Sequence, residues 1–275
     1  VTFLQRLEQA LERGAAITER DAARMLAECR QDGEHYRGES FETIAAYAAH
    51  GAIVHYAASE SSDARLKRRG LFLLDSGAQY LDGTTDVTRT LLLGPRPTRA
   101  QREHFTRVLK GHIALAGVRF PRGTAGRQLD ALARVPLWQA GLDYAHGTGH
   151  GVGHYLNVHE GPQAISPTRC TGAALEEGNV LSNEPGFYLE GSYGIRIENL
   201  IQVVKDEEHS RNGRPFFRFE ILTLCPIDRR LIDPALLTDG ERQWVNRYHR
   251  QVQQTLRPLL SSDAARWLRR ATKPV

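Results

Sequence analysis

The stretch LFLLDSGAQYLDGTTDVTRTLLL, residues 71–93, decides how the chain folds. Its apolar ends read as strands, and Tyr80 to Gly83 between them reads as the turn of a hairpin. Asp75 and Asp86 stand nearly symmetrically about that turn. Closing the hairpin brings the two carboxylates opposite each other or one diagonal step apart, depending on any bulge. Opposed Cβ atoms in such pairs lie roughly 4.5–5.5 Å apart. A second stretch repeats the arrangement. In LSNEPGFYLEGSYGIRIENL, residues 181–200, Glu184 and Glu198 are equidistant from Gly191, itself a turn residue.

Acids that face each other on apolar strands are costly unless positive charge lies between them. Arg89 and Arg196 are near enough in sequence to supply it. Between the two hairpins, however, lies HGTGHGVGHYLNVHEGP, residues 146–162, with four histidines. Four carboxylates and one imidazole make a hard, oxygen-rich donor set. It suits two divalent metals about 3.5–4 Å apart, with carboxylates bridging them. Glycines at 147, 149, 151 and 153 would be very poor in a helix. In an extended segment they leave one face bare, so that backbone and substrate can approach the metals.

The rest of the chain sets the frame. Its 275 residues are 41% hydrophobic and 25% charged, which is globular rather than disordered. Cys29, Cys170 and Cys225 form no CxxC pair and are odd in number, which fits a reducing compartment. No apolar run reaches the length of a membrane span, so a soluble, cytoplasmic protein without a membrane partner is expected. The net charge of +4 comes from arginines scattered among acids, as in LERGAAITERDAARMLAECR (11–30), and no nucleic-acid partner is expected. The first residue is Val1 rather than methionine, which suggests an excised domain or a processed start.

Phe3, Leu4, Leu7 and Leu11 recur at helical spacing, and Thr18 is a candidate N-cap three residues before Asp21. From Gly51 the runs AIVHYA, LFLLDSGAQY and VTRTLLLG read as strands. RPTRAQREHFTRVLKGHIALAG reads as a long helix with a Thr98/Gln101 capping box, and GRQLDALARVPLWQAG as a helix interrupted or ended near Pro136. NVLSNEPGFYL, YGIRIENLIQVV and FRFEILTLCPI are strand-like. Thr238 and Glu241 cap a final helix, RQWVNRYHRQVQQTL. Helices and antiparallel strands mix without a βαβ beat, which predicts an α+β fold and a single domain over residues 1–275.

DSGAQYLDGTTDVTRT (75–90), HGTGHGVGHYLNVHEGP (146–162) and NEPGFYLEGSYGIRIEN (183–199) together resemble the signature segments of the Xaa-Pro aminopeptidases (aminopeptidase P). These are metallopeptidases of the pita-bread superfamily, and the likeness is to the cytosolic, eukaryotic-type branch. It extends from about GAIVHYA (51–57) through FEILTLCPID (219–228) to the WVNRYH helix (244–249). The resemblance implies a curved antiparallel sheet covered by helices around a dinuclear centre. It implies Asp75, Asp86, His150, Glu184 and Glu198 as metal ligands, with Asp86 and Glu198 bridging.

It further implies Glu184 and His159 as catalytic groups, and His55, His146 and His159 as substrate-binding residues, His55 bordering the proline subsite. Arg196 is expected to bridge to Asp75, and the Tyr188 hydroxyl to lie near a metal-bound water. His154 receives no role, and His104, His112, His209 and His249 are read as surface or packing residues. The implied reaction is hydrolysis of a peptide after its first residue when proline is second. Manganese is the expected metal, though cobalt, zinc or iron would also suit the ligands. A prolidase acting on Xaa-Pro dipeptides, or a non-catalytic pita-bread binding module, are the alternatives. Members of the family carry one or two domains ahead of the catalytic one, which these residues do not include. A homodimer is the assembly allowed for.

Overall fold

The computed structural model describes residues 1–168, 172–210 and 213–275, which leaves Cys170 outside the described residues. Leu71–Ser76 pairs antiparallel with Val87–Leu92, Asp75 opposite Thr88 and Ser76 opposite Val87. The same register continues to the turn, where Tyr80 meets Gly83. Asp86 therefore sits one diagonal step from Asp75, on the same face of the ribbon. Ile44–Tyr47 completes this three-stranded sheet on the other side of Leu71–Ser76.

Every residue of Leu71–Ser76 is buried, because both faces are covered. Phe72 and Leu74 pack with Phe3, Leu7 and Leu11 of helix α1 (Thr2–Glu12) and Ala22 of α2 (Glu19–Gln31). Each of these phenylalanine and leucine side chains favours the fold by about 1.5–3 kcal/mol on burial. Leu71 and Leu73 face the opposite way into other clusters, and by strand alternation Asp75 shares their side. Apolar residues thus hold the outer face against helices, and the acid is delivered to the inner one.

The remaining helices are α3 (Arg99–Ala116), α4 (Asp130–Trp138), α5 (Asp239–Leu256) and α6 (Ser262–Ala271). Capping boxes form at Thr18/Asp21, Thr98/Gln101 and Thr238/Glu241, each satisfying two backbone donors. Helix α4 ends two residues past Pro136. A four-stranded antiparallel sheet runs in the order Val180–Asn183, Asn199–Lys205, Phe216–Ile221, Arg119–Pro121. Its apolar face meets Leu115 of α3 and Leu129 and Ala133 at α4.

One expected strand is absent. AIVHYA lies in a 3-10 turn, Ala48–Ala52, and the bend after it, while the strand is Ile44–Tyr47 just upstream. A short apolar run carries no periodicity that separates a strand from a packed turn. Here the turn presses on strand Tyr193–Arg196 so closely that a Cβ on Gly194 would stand 1.7 Å from the Gly51 carbonyl oxygen. Cys29 and Cys225 are free thiols, and no helix among the described residues is long and apolar enough to cross a membrane.

Candidate metal centre

The second hairpin forms with the symmetry its sequence suggested. Asn183 pairs with Asn199, and beyond a gap Gly186 pairs with Arg196, so Glu184 and Glu198 fall opposite each other where the ladder opens. Their backbones are tied elsewhere: the Glu184 N–H donates to the Thr148 carbonyl at 2.8 Å and the Glu198 N–H to the Thr88 carbonyl at 3.1 Å. These two bonds stitch the aspartate hairpin, the histidine segment and the glutamate hairpin into one site.

Three of the four acids have a fixed donor on one side. Arg196 Nη2 donates to Asp75 Oδ2 at 2.7 Å, the Thr88 hydroxyl to Glu198 Oε2 at 2.7 Å, and the Ser182 hydroxyl to Glu184 Oε1 at 3.0 Å. The other sides are left over. Asp75 Oδ1, Asp86 Oδ1 and Glu198 Oε1 are buried with no hydrogen-bond partner among the described residues. Burial pushes the Asp86 and Glu198 carboxyls well above the usual range, and neighbouring acids push them further, Asp75 foremost for Asp86 and Asp86 for Glu198. Burial likewise raises Glu184. Such a cluster is stable as anions only with cations among them.

His150 is aimed at it. Its Nδ1 lies 2.9 Å from the Gly151 carbonyl, so the proton belongs there and Nε2 keeps its lone pair. Nε2 is 3.3 Å from Glu184 Oε1 and 3.5 Å from Asp86 Oδ2. Ligand atoms of Asp86, His150 and Glu198 all lie within 4.8 Å of one another. Hard carboxylate oxygens with one imidazole fit divalent cations.

The bare glycine face serves backbone packing rather than a ligand. A Cβ on Gly149 would come 2.0 Å from the Ser182 carbonyl oxygen, and one on Gly151 2.0 Å from that of Glu160. Close approach lets the Ser182 hydroxyl accept the His150 N–H at 2.9 Å, while the alternation turns His150 the other way, toward the acids.

The other predicted residues spread outward from this centre. His159 is exposed, and its ring stands edge-on to His150 with centroids 4.2 Å apart. His146 is half-buried with Nδ1 2.8 Å from the Gly147 carbonyl and Nε2 2.8 Å from the Tyr188 hydroxyl. Burial, then the Arg196 charge, pushes it down to about 3, so it is a neutral acceptor. The Tyr188 hydroxyl also accepts from Arg196 Nη1 at 2.7 Å, and burial raises it to about 12. It is thus engaged with protein groups on both sides. His55 is exposed on the turn after Ala48–Ala52, near enough for its charge to bear on His146. His154 is exposed. His112 and His249 are fully buried packing residues.

Among the described residues, no acid pairs with Arg89. It is buried on the opposite face from Asp75, donating to the carbonyls of Glu198 at 2.6 Å and Cys225 at 2.7 Å and to the Tyr248 hydroxyl at 3.0 Å. Thr88 and Ser182 were missed at the sequence level, although each lies two residues from an acid of the site and so on the same strand face.

This chain matches metallopeptidase family M24 over residues 2–205 and the C-terminal region of peptidase M24 over residues 215–275. The chain belongs to metallopeptidase family M24. A probable Xaa-Pro aminopeptidase P of Coprinopsis cinerea is 48% identical over 98% of this M24 chain and 44% of its own length. Aminopeptidase P2 of Arabidopsis thaliana is 47% identical over 98% of the chain and 38% of its own. The chain thus spans less than half of these relatives. Among solved structures, the X-prolyl aminopeptidase of Caenorhabditis elegans, described as a cytosolic enzyme with a di-nuclear active site, superposes with a TM-score of 0.94. It is 44% identical over 100% of this chain and 45% of its own. The prolidase of Pyrococcus furiosus follows at TM-score 0.62 and 30% identity over 73% of this chain. The M24 chain therefore has the pita-bread fold, an α+β architecture, and its Asp86, His150 and Glu198 stand close enough together to hold a metal ion.

Proposed function

We propose that residues 1–275 form one catalytic domain of an Xaa-Pro aminopeptidase that holds two divalent ions, manganese by preference, on Asp75, Asp86, His150, Glu184 and Glu198. The observation that carries this is the set of three buried carboxylate oxygens, on Asp75, Asp86 and Glu198, without hydrogen-bond partners among the described residues, in a cluster whose Asp86 and Glu184 carboxylates come within 3.5 and 3.3 Å of His150 Nε2. Bound there, the metals would polarise the scissile carbonyl and acidify a water. Glu184, raised by burial, takes a proton from the water whose oxygen attacks the scissile carbonyl and delivers it to the departing proline nitrogen. His159, exposed beside His150, donates to the charge that develops. His146 keeps Tyr188 in place by accepting its hydroxyl proton. A tertiary prolyl amide has no N–H and a fixed φ, so a pocket bordered by His55 selects the rigid ring.

The fully covering likeness to the Caenorhabditis elegans enzyme favours an aminopeptidase over a prolidase, and its cytosolic setting favours a cytoplasmic one. The retained acids and imidazole favour an enzyme over a binding module. The test compares Ala-Pro-Ala, Ala-Ala-Ala and Ala-Pro, with metal content measured on the same manganese-loaded sample. Cleavage of the first after its first residue, with a loss of about 100-fold or more on replacing proline, is expected. Cleavage of the dipeptide alone would make the protein a prolidase, and manganese-loaded protein inert toward all three would favour either the binding module or dependence on the parts of the relatives that this chain does not span.

A further inference from the structure

The turn that carries His55 is built on a carboxylate that the proposed reaction does not use. Glu19, the first residue of α2, is 0% exposed and both its oxygens are occupied. Oε1 accepts the Tyr47 N–H at 2.6 Å and lies 2.9 Å from His50 Nδ1. Oε2 accepts the Tyr56 hydroxyl and the Ala64 N–H, both at 2.9 Å. All four partners lie in residues 47–64, the segment that holds the turn. The rings of His50 and Tyr56 stack 4.4 Å apart beneath it.

The turn needs such holding. Ala48 has φ +51°, a left-handed conformation that costs a residue with a Cβ about 1–2 kcal/mol and persists only where its surroundings impose it. The amide that Glu19 grips belongs to the residue just before. On the far side Gly51 is pressed against Gly194, in the strand that continues to Arg196 and so to Asp75. The strained turn is therefore clamped between a buried acid and the strand of the metal centre, with Ile53 and His55 left exposed. Capping does not require the charge, because Thr18 and Asp21 already satisfy the start of α2. Among the described residues no arginine or lysine pairs with this carboxylate, whose ion-pair candidate is His50, and such burial is otherwise a costly choice.

We infer that Glu19 is a positioning residue for substrate recognition: it fixes residues 48–56 in the strained shape that presents His55 to the peptide. The inference rests on the proposed aminopeptidase reading, in which His55 borders the substrate. It is tested on the manganese-loaded protein with E19Q and the milder Y56F, using Ala-Pro-Ala and hydrogen exchange of residues 47–64. Glutamine keeps the size of Glu19 but turns an NH2 against one of the N–H donors. E19Q should speed exchange in this segment and raise KM, each by about tenfold, with kcat and manganese content little changed. Y56F should shift both in the same direction by less. H55A should raise KM as well, and E19Q/H55A no further than H55A alone. Normal exchange and normal KM in E19Q, with KM raised in H55A, would overturn the positioning role and leave the aminopeptidase reading intact. Unchanged KM in H55A would count against the placement of His55 at the substrate. A fall in manganese content together with kcat in E19Q would also overturn the proposal, since Glu19 would then act through the fold as a whole.

Discussion

At the scale of single residues, the histidines divide by which nitrogen is free and what it faces. His150 gives its Nδ1 proton to a neighbouring carbonyl and aims Nε2 at Asp86 and Glu184, whereas His159 stands outside that shell with its ring against His150. The two should therefore fail differently. On the proposed ligand set, His150→Ala should lose one of two bound divalent ions along with activity. His159→Ala should keep both, and lose about 10²–10³-fold in kcat with KM little altered, because a contact made in the transition state appears in kcat. Metal content by elemental analysis beside steady-state kinetics checks this, and equal metal loss in the two variants would show the division to be wrong. The choice of His150 was not legible from the residues alone, since four histidines among glycines have no local feature that ranks them. It came through the family resemblance. Arg89, by contrast, was misjudged although a signal existed: it adjoins Thr88, which shares the face of Asp75, so alternation alone sends Arg89 to the other side.

At the scale of elements, the two hairpins were readable because acids equidistant from a turn must meet once the strands close. Glu184 and Glu198 do so about Gly191, and the aspartates miss by one diagonal step because their turn centres between Leu81 and Asp82. The 48–56 turn was misread because its shape is imposed by Glu19 and Gly194, both distant in sequence. The alternating glycines were readable as a bare face, but its use was not, since that depends on the neighbouring strand. That use yields a prediction. Gly149→Ala would set a methyl 2.0 Å from the Ser182 carbonyl, driving apart the strands that bring His150 and Glu184 together. The expected cost is about 1–3 kcal/mol of stability, together with weakened manganese binding. Gly240→Ala, in α5 with nothing within 4 Å of its Cβ, is the control and should be neutral or slightly stabilising. Denaturant midpoints and metal titration measure both, and a Gly149→Ala protein that binds manganese normally would contradict this account of the segment.

At the scale of the whole molecule, the segments after and before residue 205 are joined through a buried positive charge. Arg89 holds the carbonyls of Glu198, Cys225 and Pro226 and the Tyr248 hydroxyl of α5. Two buried histidines stand within its field. Burial first, and the Arg89 charge second, push His112 down to about 3 and His249 to about 4 from an ordinary 6.5. Both work as neutral rings: His112 Nδ1 lies 3.1 Å from the Asn183 carbonyl, and His249 Nε2 accepts the Ile227 N–H at 3.1 Å. In the unfolded chain each takes up a proton near pH 6.5, so between that value and about pH 4 the unfolded state binds more protons. Stability that is fully present above pH 6.5 is therefore lost as the pH falls, by about 1.4 kcal/mol per unit for each histidine. His249→Gln can keep the acceptor for Ile227 while removing the titration. Compared at pH 7.5 and pH 5.0 on metal-free protein, the variant should lose less stability than the parent, by about 2 kcal/mol. The acids of the centre titrate alike in both proteins and cancel in the difference. Proton uptake on unfolding at pH 5.0 should fall by about one. An unchanged difference between the two pH values would mean that His249 takes up a proton in the folded protein by pH 5.0, against its burial and the nearby Arg89 charge.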